Sequence, residues 1–136
     1  MKTILITGAS TGFGRALATE ALNRGHQVVL AVRNPESVAD LVAHYSGKAI
    51  AIGFDLTKPA DADRAVKETL EQFGQLDVLI NNAGYGLLAA LEESTDEQLT
   101  RNLETNFTGP FRLIRAALPV MRGQKSGHII TLSAIA

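Results

Sequence analysis

Apolar and polar positions along the chain follow two rhythms. Five short runs, at 3–7, 27–32, 49–54, 78–81 and 128–132, are rich in Val, Ile and Leu. Runs that are nearly continuous in apolar residues predict strands covered on both faces, as in a parallel sheet. Longer segments with helix-like patterning separate them. The segment 12–24 stops at Gly25, and 35–45 follows the second strand. The segment 57–73 opens on Thr57 as its capping residue and stops at Gly74. Ser94-Thr95-Asp96-Glu97 reads as a capping box that opens a long helix toward Met121. Pro119 should kink that helix or end it. Strand and helix therefore alternate through five strands. Such repeats predict an α/β domain with right-handed crossovers and helices on both faces of a doubly wound parallel sheet.

Composition narrows the class. A chain of 136 residues fits one domain, 1–136. It is 46% apolar and 20% charged with a formal charge of −1, which gives no reason to expect a nucleic-acid partner. Arg112, Arg115 and Arg122 can share a helix face, but a solvated face explains them without a polyanion. There is no cysteine, and the three histidines lack metal-ligand spacing, so no metal is predicted. No apolar run approaches the ~18 residues of a membrane span. The chain enters its first strand without a signal-peptide pattern, so the expected location is cytoplasmic.

The first strand runs into Thr7-Gly8-Ala9-Ser10-Thr11-Gly12-Phe13-Gly14 and then into a helix pattern. Strand, glycine loop and helix in this order form an anion-binding device, because free amides and the helix dipole meet at the helix start. Gly8 would allow the tight turn, Gly12 the approach of a diphosphate, and Gly14 close packing of helix on sheet. No Gly-Lys-Ser or Gly-Lys-Thr follows the loop, which argues against a P-loop. A Rossmann-type sheet of order 3-2-1-4-5 would set this loop at the carboxyl ends of the strands, where ligands bind.

Several motifs together resemble the short-chain dehydrogenase/reductase family. They are the glycine loop, Asp55-Leu56 after the third strand, Asn81-Asn82-Ala83-Gly84 after the fourth, and Asn106 in the long helix. The likeness extends from Met1 to Ala136. It implies a nicotinamide dinucleotide bound by Gly8, Ser10, Thr11, Gly12, Phe13, Gly14, Arg33, Asn34, Asp55, Leu56, Asn82, Ala83 and Gly84. Asp55 would accept a hydrogen bond from the adenine amino group, or else serve only as a turn cap. Asn82 and Gly84 would pass the cofactor ribose while the Asn amide ties neighbouring strands, or else form a plain turn.

The second strand ends in Val32-Arg33-Asn34-Pro35. The family places an acid for the ribose 2′-hydroxyl at the position Val32 holds. Arg33 can clamp the 2′-phosphate of NADP instead, unless it is a solvated loop arginine. NADP(H) is the expected cofactor. NAD(H) stays open, because Thr11 occupies a place where NADP-preferring relatives carry a basic residue.

The family's chemistry uses a Tyr as acid or base and a Lys that lowers its pKa and holds the nicotinamide ribose. A Ser hydrogen-bonds the carbonyl, with an Asn in support. Tyr and Lys come as Y-x-x-x-K after the fifth strand. Here only Tyr45 and Tyr85 occur, and neither has a lysine four residues on. In the run Ser133-Ala134-Ile135-Ala136, Ala134 takes the serine position by register, and Ser133 is the weaker candidate. Asn106 holds the family's Asn position. The expectation is the cofactor-binding portion of an NADP(H)-dependent oxidoreductase of carbonyl or alcohol substrates, truncated after its fifth strand and inactive alone. The alternative is a non-catalytic NADP(H)-binding sensor or subunit module. Phe107, Phe111, Leu113, Ile114, Ala117 and Leu118 then offer more apolar surface than nearby partners can cover. A second copy or a complementary fragment would fit that surplus.

Overall fold

The computed structural model describes residues 1–133. Five strands, β1 (Thr3–Thr7), β2 (Gln27–Val32), β3 (Ala49–Gly53), β4 (Val78–Asn81) and β5 (His128–Thr131), pair in parallel in the order β3-β2-β1-β4-β5. β1 lies at the centre, with Ile4 opposite Val28 on one side and Val78 on the other. Strand order reverses between β1 and β4, and ligands of such sheets bind at that switch point.

Alternation of side chains along each strand divides the core into two layers. Leu5, Val29, Ile52 and Leu79 point to the face covered by α3 (Pro59–Phe73) and α5 (Gly109–Gln124). Ile4, Ile6, Val28, Leu30 and Ile80 point to the face covered by α1 (Gly12–Asn23) and α2 (Ala39–His44). Helices cover both faces of β1, β2 and β4, which is why those strands lack polar alternation; β5, at the edge of the sheet, departs from the expectation of a strand covered on both faces, since His128, Ile130 and Thr131 are exposed.

Several predicted boundaries shift, each for a local reason. The segment 35–45 is a 3₁₀ turn, Pro35–Val38, followed by α2; Asn34 Oδ1 caps that turn by accepting from Glu36 N at 3.2 Å. Thr57 does not cap α3, which starts at Pro59 with Lys58 before it. Instead the Thr57 amide and hydroxyl both donate to Asp55 Oδ1, at 2.9 and 2.7 Å.

The predicted long helix is three pieces: α4 (Asp96–Leu103), a π-helical stretch Glu104–Thr108, and α5. Thr95 and Gln98 form the reciprocal capping box of α4. A π turn widens the backbone by one residue. It sits where Gly109 packs on Leu56, so closely that an added Cβ would lie 2.7 Å from the Leu56 carbonyl oxygen and Cδ2. Pro119 does not end α5, which continues to Gln124. Pro119 is exposed, so water can take the carbonyl that its missing N–H leaves free.

Of the apolar surplus expected on the long helix, Leu113 and Ala117 are fully buried against the sheet. Phe107 and Phe111 stay 71% and 54% exposed, and Leu99, Leu103 and Leu118 are exposed beside them. No helix among the described residues is long and apolar enough to cross a membrane.

Candidate functional site

The carboxyl ends of β1 and β4 are locked to each other. Thr7 is buried, and its hydroxyl accepts from the amides of Asn82 and Ala83, both at 3.1 Å. Asn82 answers with its side chain: Nδ2 donates to the Thr7 and Gly8 carbonyls at 3.2 and 3.1 Å. Gly8 has φ +65°, and a Cβ there would lie 2.8 Å from Ala83 Cα. A Cβ on Gly14 would overlap Asn82 Nδ2 and the Gly8 carbonyl oxygen. Two of the three loop glycines thus bring strand, loop and helix into contact. The third, Gly12, has φ +56° and open space around it.

The start of α1 differs from the start of α4. Thr11 occupies the N-cap of α1 but makes no side-chain cap bond, and the first turn holds no acid. α4 is sealed by its capping box and carries Asp96 and Glu97 in its first turn. The amides at the start of α1 are therefore left for another acceptor, with the positive end of the helix dipole behind them.

A cleft of about 650 Å³ opens beside this loop. Its size falls within the usual range of ligand sites, roughly 300–1,000 Å³. Gly8, Ser10 and Thr11 form the loop side; Arg33 lines the end at β2; Asp55 and Leu56 follow β3; Asn82, Ala83 and Gly84 follow β4. Most of the residues anticipated for a dinucleotide therefore meet in one place. Gly12 and the 63% exposed Phe13 lie outside the lining, at the loop's outer rim. Gly14 is spent on packing, and Asn34 on capping the 3₁₀ turn. Ser133 is exposed beyond β5 and does not line the cleft; Ala134 lies outside the described residues.

Asp55 serves its turn with one oxygen only. Oδ1 takes both bonds from Thr57, and Oδ2 accepts none among the described residues. The hydroxyl and amide of Thr57 hold the Asp55 carboxyl below its ordinary value of 3.8, against the opposing effect of burial, with help from the charges of Lys58 and Arg101. Asp55 is thus an ionised acceptor with a free oxygen at the cleft. Arg33 makes no ion pair among the described residues, and the last residue of β2 is the buried Val32 rather than an acid.

Asn106 acts at one remove. Its Oδ1 accepts from Tyr85 N at 3.0 Å, and its Nδ2 donates to Tyr85 O at 2.6 Å. Asn102, one turn earlier, donates to the same carbonyl at 2.9 Å. Together they fix Tyr85, which lines the cleft next to Gly84. Nothing in the sequence around Tyr85 marks this role. The far wall of the cleft is made by Gln98, Arg101 and Thr105. Their spacing of three and four is one stripe of a helix, a signal present in the sequence but masked by the polarity of α4.

A doubly wound sheet with an unsealed helix start, a glycine loop and a cleft at the switch point defines a nucleotide-binding α/β protein. The short chain dehydrogenase family model matches residues 2–136, and the chain belongs to that family. It is 39% identical over 131 residues to Oxidoreductase BOA17 of Botryotinia fuckeliana, covering 96% of this chain and 48% of that protein. A solved short-chain dehydrogenase from Streptomyces avermitilis superposes with a TM-score of 0.93 at 42% identity, covering 98% of this chain and 49% of that one. A 3-ketoacyl-(acyl-carrier-protein) reductase from Brucella melitensis, solved with NADH, gives 0.90 at 30% identity, covering 98% and 57%. The chain spans about half the length of the curated relatives it matches. The family carries out nicotinamide-dependent oxidoreduction.

The cleft fits such a cofactor on its own terms. Among the described residues, it offers amides with no cap to claim them for a diphosphate, a guanidinium in no ion pair at one end and a carboxylate oxygen that accepts no hydrogen bond.

Proposed function

We propose that these 136 residues form the cofactor-binding half of an NADP(H)-dependent short-chain oxidoreductase. The observation that carries the reading is the open amino end of α1 beside the cleft, with Arg33 at the cleft's β2 end making no ion pair among the described residues. The main chain of Ser10, Thr11, Gly12 and Phe13 would hold the diphosphate. Gly14 keeps α1 close enough for those amides to reach it. Arg33 would take the 2′-phosphate, with Asn34 ordering its turn. Asp55 Oδ2 would accept from the adenine amino group, and Leu56 and Ala83 would flank the base. Asn82 and Gly84 would carry the chain past the second ribose, while Asn106 holds Tyr85 in place. When bound, the dinucleotide supplies or takes up the hydride exchanged with a carbonyl or alcohol carbon.

The residues present hold no Tyr-x-x-x-Lys, and Ser133 stands away from the cleft. A positioned acid–base contributes about 10²–10⁴ in rate. One donor to a developing oxyanion contributes about 10²–10³. We therefore expect cofactor binding without appreciable turnover of carbonyl substrates by this chain alone. Binding without turnover is also the behaviour of a sensor or subunit module, and reduction assays with a partner half added would separate the two. Phe107 and Phe111 present the surface on which a second copy or a complementary half would sit. We place the protein in the cytoplasm, in keeping with its composition.

Calorimetry with NADPH and NADH tests the assignment. The chain should bind NADPH more tightly. Arg33→Asp should weaken NADPH by roughly ten- to 150-fold, the equivalent of about 1.5–3 kcal/mol for hydrogen bonds to a charged group, while sparing NADH. Equal binding of both cofactors by parent and variant overturns the NADP preference. No heat from either overturns the cofactor reading.

A further inference from the structure

Asp55 and Arg101 line the same cleft without meeting. Both line it, Arg101 from α4 and Asp55 from the end of β3. They form no ion pair within 4.0 Å. Yet the charge of Arg101 is felt at the Asp55 carboxyl. Arg101 is exposed and donates no hydrogen bond, and joins no ion pair, among the described residues. Two complementary groups, one anchored by Thr57 and one free, thus bracket a gap too wide for direct contact.

A planar heterocycle with an exocyclic amine meets both requirements of such a gap. Its edge can donate to the free oxygen of Asp55, and its face can receive a guanidinium, which is flat, delocalised and less strongly hydrated than an ammonium. A 6-oxo purine suits it less, because its acceptor oxygen would face a carboxylate.

We infer that Arg101 is a specificity-determining residue of this cleft, stacking its guanidinium across the purine that Asp55 holds by its amino group. The inference rests on the cleft being the dinucleotide site. It adds a fourth wall that the loop, β3 and β4 do not supply. Gln98 and Thr105, on the same stripe of helix, border that wall on either side. α4 is fixed at its start by the capping box, and Tyr85 is tied to its end through Asn102, so the guanidinium is carried on a held element.

The test uses the 136-residue chain and calorimetry with three probes: 2′,5′-ADP, its hypoxanthine analogue, and nicotinamide mononucleotide. Arg101→Ala should weaken 2′,5′-ADP by about 2–30-fold, the range of one cation–π contact, and leave nicotinamide mononucleotide unchanged. The parent should prefer adenine to hypoxanthine, and Arg101→Ala should narrow that preference. Arg101→Lys separates stacking from plain charge: it should recover less than half of the loss on a logarithmic scale, and the deficit should persist at high salt. Full recovery by lysine overturns the stacking role. Unchanged affinity of Arg101→Ala for 2′,5′-ADP, or an equal loss for nicotinamide mononucleotide, overturns the inference altogether. Failure of the parent to bind any adenine nucleotide instead strikes the cofactor reading on which it rests. Arg101 is exposed, so melting curves of both variants should match the parent and confirm that folding is not the cause.

Discussion

Gly14→Ala sets two effects against each other. Gly14 lies in the first turn of α1 with a negative φ, so alanine meets no backbone penalty and gains about 1 kcal/mol of helix propensity. Against this, the new methyl would overlap Asn82 Nδ2 and the Gly8 carbonyl oxygen. Relief requires α1 to withdraw by on the order of 1 Å to restore normal contact distance. Overpacking of this kind costs typically about 1–3 kcal/mol. The bonds from Asn82 to Thr7 and Gly8, at 3.2 and 3.1 Å, stand in the path of the shift. They add about 0.5–1.5 kcal/mol each where they break. The overlap should win by about 3 kcal/mol. For a domain of this size that lowers the melting temperature by about 10 °C.

Thermal unfolding followed by circular dichroism measures it. A double variant with Asn82→Ala provides the internal control. It removes one of the two overlaps but not the Gly8 carbonyl, so the pair should be less destabilised than the sum of the singles and still less stable than the parent. A Gly14→Ala variant that melts with the parent, or above it, would show that helix and sheet do not approach as closely as described.

Three further outcomes follow from the same site. Arg33→Asp should separate NADPH from NADH in calorimetry, weakening the first and sparing the second. Asp55 is held below its ordinary pKa, so its ionisation stabilises the fold above the unfolded value near 4, and that contribution fades as pH falls through the lower folded value. Thr57→Val should therefore move the Asp55 titration, followed by carboxyl NMR, up toward 3.8, and the acid side of the stability profile should flatten. An unmoved titration would show that the hydroxyl bond is not the main cause. Asn106→Ala should speed hydrogen exchange at the Tyr85 amide by about ten-fold or more, since it frees two bonds worth roughly 0.5–1.5 kcal/mol each. Unchanged exchange would mean that Asn102 alone suffices.

Much of this architecture can be read directly from the chain where strands are buried on both faces, as β1, β2 and β4 are; β5 is apolar in sequence yet largely exposed at the sheet edge. β1, β2 and β4 begin and end where their apolar runs do, since both of their faces pack into the apolar core. The helices were less legible where tertiary contacts decide them. No periodicity announces the π turn at Glu104–Thr108, which accompanies the seating of Gly109 on Leu56, far away in sequence. Thr57 has the chemistry of a cap, yet Asp55 claims it and Pro59 starts the helix. In the cleft, the loop and the two strand ends were visible as motifs because glycine, Asn and Asp stand out there. The α4 wall was not, because Gln98 and Arg101 look like any solvated helix face until the fold sets them along the cleft.

The central place of β1 has a consequence for biosynthesis. Its partner on one side, β4, lies some 74 residues downstream, as does Asn82, which closes the loop beyond it. At translation rates of about 5–20 residues per second, the amino-terminal strand waits roughly 4–15 s with one edge open. During that interval β1 and β2 can pair only through their crossover, and Leu5 and Ile6 have no second neighbour. Parallel pairings that span such distances are slow to form and vulnerable while they wait. The most protected strand of the finished molecule is the one most in need of shelter while the ribosome is still at work.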